Sequence, residues 1–250
     1  MDETLAQYDS WMHRMDPGVR VITAVIVSFC AALCHDVKIL GAHLILALLL
    51  VGMAKLPPRA VLKRLKPLFW FLVMIWVLMP FTYEGEPLVV MGPLTLTRPG
   101  VMLCVNITLK SVIILFYFMA LVATMTVATL GQSLHTLHVP DKMVFLLLMT
   151  YRYIAVIQAE YHRLLRAAKF RGFVPGTNIH SYRTYAYLAG MLFVRASRRA
   201  SRVYDAMRCR GFNGKFHTLD TFSPGVVNHL FLTLVSMTAL GLVVTENLLM

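Results

Sequence analysis

Five apolar stretches punctuate the chain, near residues 19–34, 37–54, 67–82, 101–130 and 225–246. Each approaches the roughly 20 apolar residues that carry a helix across a bilayer, so the pattern predicts five transmembrane helices. Asp16-Pro17 supplies an N-cap and a first-turn proline for the first of them. That helix turns back through the short Cys34-His35-Asp36 connection. Leu56-Pro57-Pro58-Arg59 breaks the chain after the second stretch, and the third, from Pro67 to about Phe81, is the shortest. Residues 83–100 hold Glu84, Gly85, Glu86, Pro87, Gly92, Pro93, Pro99 and Gly100, which reads as an external loop with a small hairpin around Gly92-Pro93. The fourth stretch would be about 45 Å long as a straight helix. It exceeds the bilayer core and must tilt, break or project beyond it.

A different periodicity follows a loop-like segment, Gly131 to Pro140, which carries His135 and His138. Met143 to Met149 is apolar. Then Arg152, Glu160, Arg163, Arg166 and Lys169 recur at mainly helical intervals, with Ile154, Ile157, Tyr161, Leu164 and Ala168 as an apolar stripe. The segment predicts a long amphipathic helix at the inner surface, its apolar beginning buried against the spans. Tyr185 to Val194 is again apolar. Arg195, Arg198, Arg199, Arg202 and Arg208 follow, with Leu192, Ala196, Ala200, Val203 and Met207 as the stripe and Asp205 within reach of Arg202 or Arg208. Both patterns end alike: Ala168-Lys169-Phe170-Arg171-Gly172-Phe173, and Met207-Arg208-Cys209-Arg210-Gly211-Phe212, 39 residues later. Glycine is the usual residue just past a helix C-terminus. An arginine one step earlier stands at the negative end of the helix dipole. Two such tips imply two matching sockets on a soluble partner.

Composition turns this into a membrane assignment. The chain is 58% hydrophobic with a mean hydropathy of +0.67, too apolar for an ordinary soluble domain. Its net charge of +12 is uneven. Arg14 and Arg20 precede or open the first stretch, five cations lie in 55–66, and fourteen lie between the fourth and last stretches. Lys38 and Arg98 alone occupy the other two connections. By the positive-inside tendency the N-terminus is cytoplasmic and the C-terminus external. That bias, with the anionic inner leaflet as its counterpart, accounts for the basicity without nucleic acid. The acidic, polar N-terminus, with Asp2, Glu3 and Asp9, is unlike a signal peptide.

Candidate chemistry is sparse. Cys30, Cys34, Cys104 and Cys209 form no Cys-x-x-Cys pair; Cys30 and Cys34 share a helix face suited to packing, and Cys209 faces a reducing compartment. Sixteen Met and nine His are scattered rather than clustered, and Met commonly fills apolar interiors, so no metal site is expected. Lys110 reads first as a side chain snorkelling to the outer headgroups, with a functional intramembrane charge as the alternative. No catalytic constellation is visible. Phe212-Asn213-Gly214-Lys215-Phe216 lacks the phosphate-loop pattern.

These residues resemble the transmembrane T component of energy-coupling factor transporters, most closely the CbiQ type of cobalt or nickel uptake systems. His13-Arg14-Met15-Asp16-Pro17 is similar to the motif preceding the family's first span. Thr150-Tyr151-Arg152-Tyr153, Glu160, Arg163 and Ala168 through Gly172 resemble its first coupling helix. Leu192-Phe193-Val194-Arg195, Arg199-Ala200, Arg202-Val203-Tyr204 and Ala206 through Phe212 with Gly214 resemble the second, and favour the metal-ion branch over the vitamin branch. Phe170 and Cys209 replace a common alanine, and Gly18 a common basic residue; the arginines and glycines are spared.

The resemblance implies an all-α polytopic membrane protein with about five transmembrane helices and two long amphipathic cytoplasmic coupling helices. Residues 1–130 would be N-terminal spans, 131–223 the coupling helices, and 224–250 the last span. Ala168, Arg171, Gly172, Ala206, Arg210 and Gly211 would contact two ATP-binding cassette ATPase subunits. Arg152, Glu160, Arg163, Arg195, Arg199, Arg202 and Asp205 would support the helices. ATP would be bound by those partners, and Co2+ or Ni2+ by a CbiM-like substrate-binding S component, with room for a small accessory membrane subunit; this chain would bind neither. The implied setting is a bacterial or archaeal cytoplasmic membrane and a non-catalytic role. The alternatives are a vitamin-type T component of the same transporter class, a self-contained secondary transporter, and a membrane enzyme built on Asp141, His162, His180 and His217.

Overall fold

A computed structural model describes residues 12, 15–83, 87–91, 94–214 and 225–249, the side chains of 87–91, 94–96, 226, 247 and 249 excepted. His13 and Arg14, Glu84 to Glu86, Gly92-Pro93, Lys215-Phe216 and His217 therefore lie outside the described residues. Eight helices are described: α1 Pro17–Leu33, α2 Val37–Met53, α3 Pro58–Thr82, α4 Arg98–Leu121, α5 Val127–Thr136, α6 Asp141–Phe170, α7 Ile179–Cys209 and α8 Val226–Leu249. Strands β1 Pro87–Met91 and β2 Leu94–Thr97 pair antiparallel where the loop reading placed a hairpin. The chain divides into two compact units, Met1–Ser133 with Asp220–Met250, and Leu134–Leu219.

The first unit is a helical membrane body. α3, α4 and α8 of this unit, and α6 of the second, are long and apolar enough to cross a bilayer. α1 and α2 have 17 residues each, about 25 Å of helix, and are shorter. The core of the first unit lies among α1, α2, α4 and α8. Ala31, Ala47, Ala120 and Ala239 are fully buried within it, because small residues let membrane helices approach closely. α3 packs on α4 and otherwise faces outward, with Trp70 80% exposed. The Trp76 indole N–H donates to the Thr108 hydroxyl at 3.0 Å across that contact. At its far end Thr97 donates to the carbonyls of Pro80 and Tyr83. Gly100 fits there because a Cβ would stand 3.0 Å from the Pro80 Cα.

Several expectations change. α3 runs straight through Pro67 and starts at Pro58, so part of the basic 55–66 connection is helix. Proline is tolerated in membrane helices because the carbonyl it frees finds other partners. The long fourth stretch breaks after Leu121: Val122 and Ala123 N–H both donate to the Phe118 carbonyl, which ends α4. Gly131 to Thr136 is not a loop but the second half of α5, and His135 lies 3.1 Å from Asp141. Arg20, grouped with the cytoplasmic flanking cations, is only 2% exposed, and its guanidinium reaches the Thr124 hydroxyl. Thr124 in turn donates to the Ala120 carbonyl at 3.0 Å.

Polar groups secure the corner between α1 and α2. The Glu246 carboxylate accepts the backbone N–H groups of His35 and Asp36 at 2.6 and 2.8 Å. Asp36 caps α2 through the Lys38 N–H, as Asp16 caps α1 through Gly18. The Lys110 ammonium donates to the Ala32 carbonyl at 2.8 Å. This places a cation on an orphan C-terminal carbonyl of α1. Deeper in, the Tyr117 hydroxyl donates to the His43 carbonyl at 3.0 Å and thus accepts from His43 Nδ1 at 3.1 Å.

Glu246→Ala leaves two N–H groups at this corner without an acceptor and should cost about 1–3 kcal/mol. The expected result is a lowered thermal unfolding midpoint in detergent, with Glu246→Gln, which keeps an acceptor oxygen, falling between. An unchanged midpoint for Glu246→Ala would contradict this account of the corner.

Candidate functional site

The second unit is built on α6, 30 residues long, and α7, 31 residues long. Between them the chain turns over residues 171–178. Asn178 caps α7 by accepting the Ser181 N–H at 2.8 Å, and Ser181 Oγ accepts the Gly176 N–H at 3.0 Å.

The two repeated phrases form the same structure. At the end of α6, the Gly172 N–H donates to the Lys169 carbonyl at 3.0 Å and the Phe173 N–H to the Ala168 carbonyl at 3.1 Å. At the end of α7, Gly211 donates to Arg208 and Phe212 to Met207, both at 3.0 Å. Each pair is a complete Schellman cap. Gly172 and Gly211 take φ of 85° and 81°, a left-handed conformation that glycine adopts without the Cβ penalty. A Cβ at either position would meet nothing within 4 Å, so the demand is conformational, not spatial. Arg171 and Arg210 are the C-cap residues, with φ,ψ of −88°, 15° and −93°, 13°. Both are exposed, beside the last carbonyls of their helices.

The residue after each glycine folds back. Phe173 is 7% exposed and packs on α7, its ring 5.6 Å from Tyr185 and 6.3 Å from His180. Phe212 stacks on Phe145 near the start of α6 at 5.5 Å. One arginine tip therefore stands by the beginning of α7 and the other by the beginning of α6, at opposite ends of the pair.

Where the helices meet, Glu160 bonds the guanidinium of Arg195 and lies 3.3 Å from that of Arg163. Glu160 is only 8% exposed, and a carboxylate so placed needs such partners. Two clefts flank this point. One, about 400 Å³, separates the first half of α6 from the second half of α7 and includes Phe145, Tyr153, Val156, Leu192, Val203 and Met207 in its lining. The other, about 440 Å³, separates the end of α6 from the start of α7 and has Arg171 and Gly172 on its edge. The helices thus cross as an X.

The α7 stripe read from the sequence, Leu192, Ala196, Ala200, Val203 and Met207, all lines the first cleft. Of the α6 stripe, Ile157 lines the first cleft and Leu164 and Ala168 line the second, while Ile154 is 37% exposed. Phe145, Met149, Tyr153, Val156 and Glu160, outside that stripe, also line the first cleft; their spacing carried the signal, and a buried carboxylate among them hid it. At the apolar beginning of α6, Val144 is buried, and Met143 and Leu146 are 61% and 57% exposed.

Glu160, Arg163, Arg195 and Arg199 come together at the crossing, Arg199 on the cleft wall. Arg152, Arg202, Ala206 and Asp205 are exposed away from it, and Asp205 pairs with neither Arg202 nor Arg208 among the described residues. Cys30, Cys34 and Cys104 are buried free thiols and Cys209 an exposed one. Among the described residues no three His, Cys, Asp or Glu converge as metal ligands. His162 and His180 sit on different helices, away from Asp141.

A family model described as CbiQ, Cobalt transport protein, matches residues 8–219. The chain is also similar to proteins described as energy-coupling factor transporter transmembrane protein EcfT. That of Listeria innocua serovar 6a is 27% identical over 217 residues, 82% of each chain. That of Leuconostoc gelidum subsp. gasicomitatum is 24% identical over 215 residues, 82% of this chain and 80% of the relative. That of Bacillus subtilis is 24% identical over 216 residues, 82% of each. The family match takes in the membrane helices through α4, α5 and both capped helices together, and the chain belongs to the CbiQ family.

Proposed function

We propose that this chain is the energy-coupling transmembrane component of an importer for cobalt or nickel ions. It passes ATP-driven motion of two ATP-binding cassette subunits to a separate, CbiM-like membrane subunit that binds the cation. The observation that carries the reading is the pair of matching caps, each presenting an exposed arginine at the tip of a long helix, at opposite ends of one crossed pair. Two equal tips suit two equal partners. Each guanidinium offers a planar fork to a carboxylate in a groove of one ATPase. The chain itself carries no chemistry in this scheme; ATP and its hydrolysis belong to the partners.

Motion at a tip must reach the rest of the molecule through something stiff. The ion pair between Glu160 and Arg195 ties α6 to α7 at their crossing, so displacement of one tip turns the pair as a lever. The apolar cleft beside it, lined from Phe145 to Met207, and the outward apolar faces of the spans are surfaces for the substrate-binding subunit. In this reading the capped helices face the cytoplasm of a bacterial or archaeal cell, where the ATPases are.

Arg171→Glu or Arg210→Glu reverses the tip charge without touching the cap. Each should weaken ATPase co-purification and lower metal uptake by tenfold or more, since a lost charge-assisted pair is worth about 1.5–3 kcal/mol. Gly172→Ala and Gly211→Ala keep the charge but strain the left-handed residue by about 1 kcal/mol, and should give a milder loss of both. Wild-type assembly and uptake in both arginine variants would refute the role of the tips.

Glu160→Ala should act differently. The tips remain, so the ATPases still co-purify, but uptake per ATP hydrolysed falls because Arg163, Arg195 and Arg199 repel at an unlocked crossing. The double variant Glu160→Ala/Arg195→Ala should recover part of that loss. Unchanged coupling in Glu160→Ala would remove the crossing from the transmission path.

A further inference from the structure

The basic start of α3 and the apolar run after it share one face. Arg59, Lys63 and Lys66 are spaced by four and three residues, and Phe69 and Leu72 continue the same stripe at steps of three. Together with Val112 of α4 these residues line a groove of about 650 Å³, within the range of small-ligand sites, about 300–1,000 Å³. One end of the groove is cationic and the other apolar.

Among the described residues these cations have no acidic partner. Residues 37–83 contain no Asp or Glu. Arg59, Lys63 and Lys66 are exposed and enter no ion pair among the described residues. The apolar end is open as well: Phe69 is 67% exposed, while Leu72, at 5%, forms the floor. α3 is one of the helices long and apolar enough to cross a bilayer. Its cationic stretch spans about 10 Å from Arg59 to Lys66, which places it in the headgroup layer when the run after Pro67 occupies the hydrocarbon. Cations at headgroup depth above an apolar trough at acyl depth match one molecule in both respects.

We propose that the groove between the start of α3 and α4 is a binding site for one anionic phospholipid. Its phosphate sits among Arg59, Lys63 and Lys66, and an acyl chain lies along Phe69, Leu72 and Val112. The site requires only that α3 crosses the membrane and is independent of the coupling role. Its occupant steadies the start of α3 on its open side.

The test is native mass spectrometry of the full chain, extracted in mild detergent after equilibration with vesicles of equal phosphatidylglycerol and phosphatidylcholine with matched acyl chains. One retained phosphatidylglycerol per chain is expected, in preference to phosphatidylcholine. Each cation near an anionic headgroup contributes about fivefold, so Arg59→Ala/Lys63→Ala/Lys66→Ala should lower the retention ratio by on the order of a hundredfold. Arg166→Ala/Arg183→Ala/Arg198→Ala removes the same charge from the second unit and should leave the ratio unchanged. Equal retention of the two lipids by the unaltered chain overturns the proposal. So does a phosphatidylglycerol adduct that survives the α3 substitutions, or one lost equally in both triple variants.

Discussion

A carboxylate ties the two long helices together at their crossing. α6 and α7 are each about 45 Å long and are separated by clefts on both sides of their meeting point. Glu160, bonded to Arg195 of the other helix and to Arg163 of its own, closes that point. Its side chain is 11% exposed, and a shielded carboxylate without cationic partners is costly, so the pairing with Arg195 favours the register observed. From that register the rest of the unit follows. The tips are spread to opposite ends, the α7 stripe turns into the cleft, and Phe173 and Phe212 find their packing partners.

The membrane unit obeys the same rule at its corners. Polar backbone that leaves a helix within an apolar protein must be matched by polar side chains. Glu246, Lys110, Asp36 and Thr97 each meet that need at a helix end. Arg20 and Thr124 do so where the fourth stretch breaks. The charged residues in the apolar stretches, Arg20 and Lys110, thus have hydroxyl and backbone partners.

Local signals were legible in the sequence where one residue type suffices to decide. Asp16-Pro17, Leu56-Pro57-Pro58 and the two Arg-Gly steps each mark a helix end, and each stands where the dihedral and capping preferences of those residues require. What was hidden depends on partners distant along the chain. Pro67 reads as a boundary but sits inside α3. Arg20 reads as a flanking cation, yet its partner lies 104 residues away. The part of the inner face of α6 that runs from Phe145 through Tyr153 to Glu160 is masked in the sequence by its carboxylate; the pairing with Arg195 from α7 makes that carboxylate internal. Of the candidate site, the repeat and its cap geometry could be read in advance, while the separation of the two tips could not.

The central claim is that each arginine tip engages one ATPase subunit, so the most direct measurement is the number of ATPase subunits carried by one copy of this chain. Affinity purification from the native membrane in mild detergent, followed by native mass spectrometry of the intact complex, counts them. The account predicts two ATPase subunits and one further membrane subunit per chain, falling to a single, asymmetrically held ATPase when one tip arginine is reversed. A chain recovered alone or as a homomer, or a complex whose ATPase count is indifferent to both arginines, would contradict it.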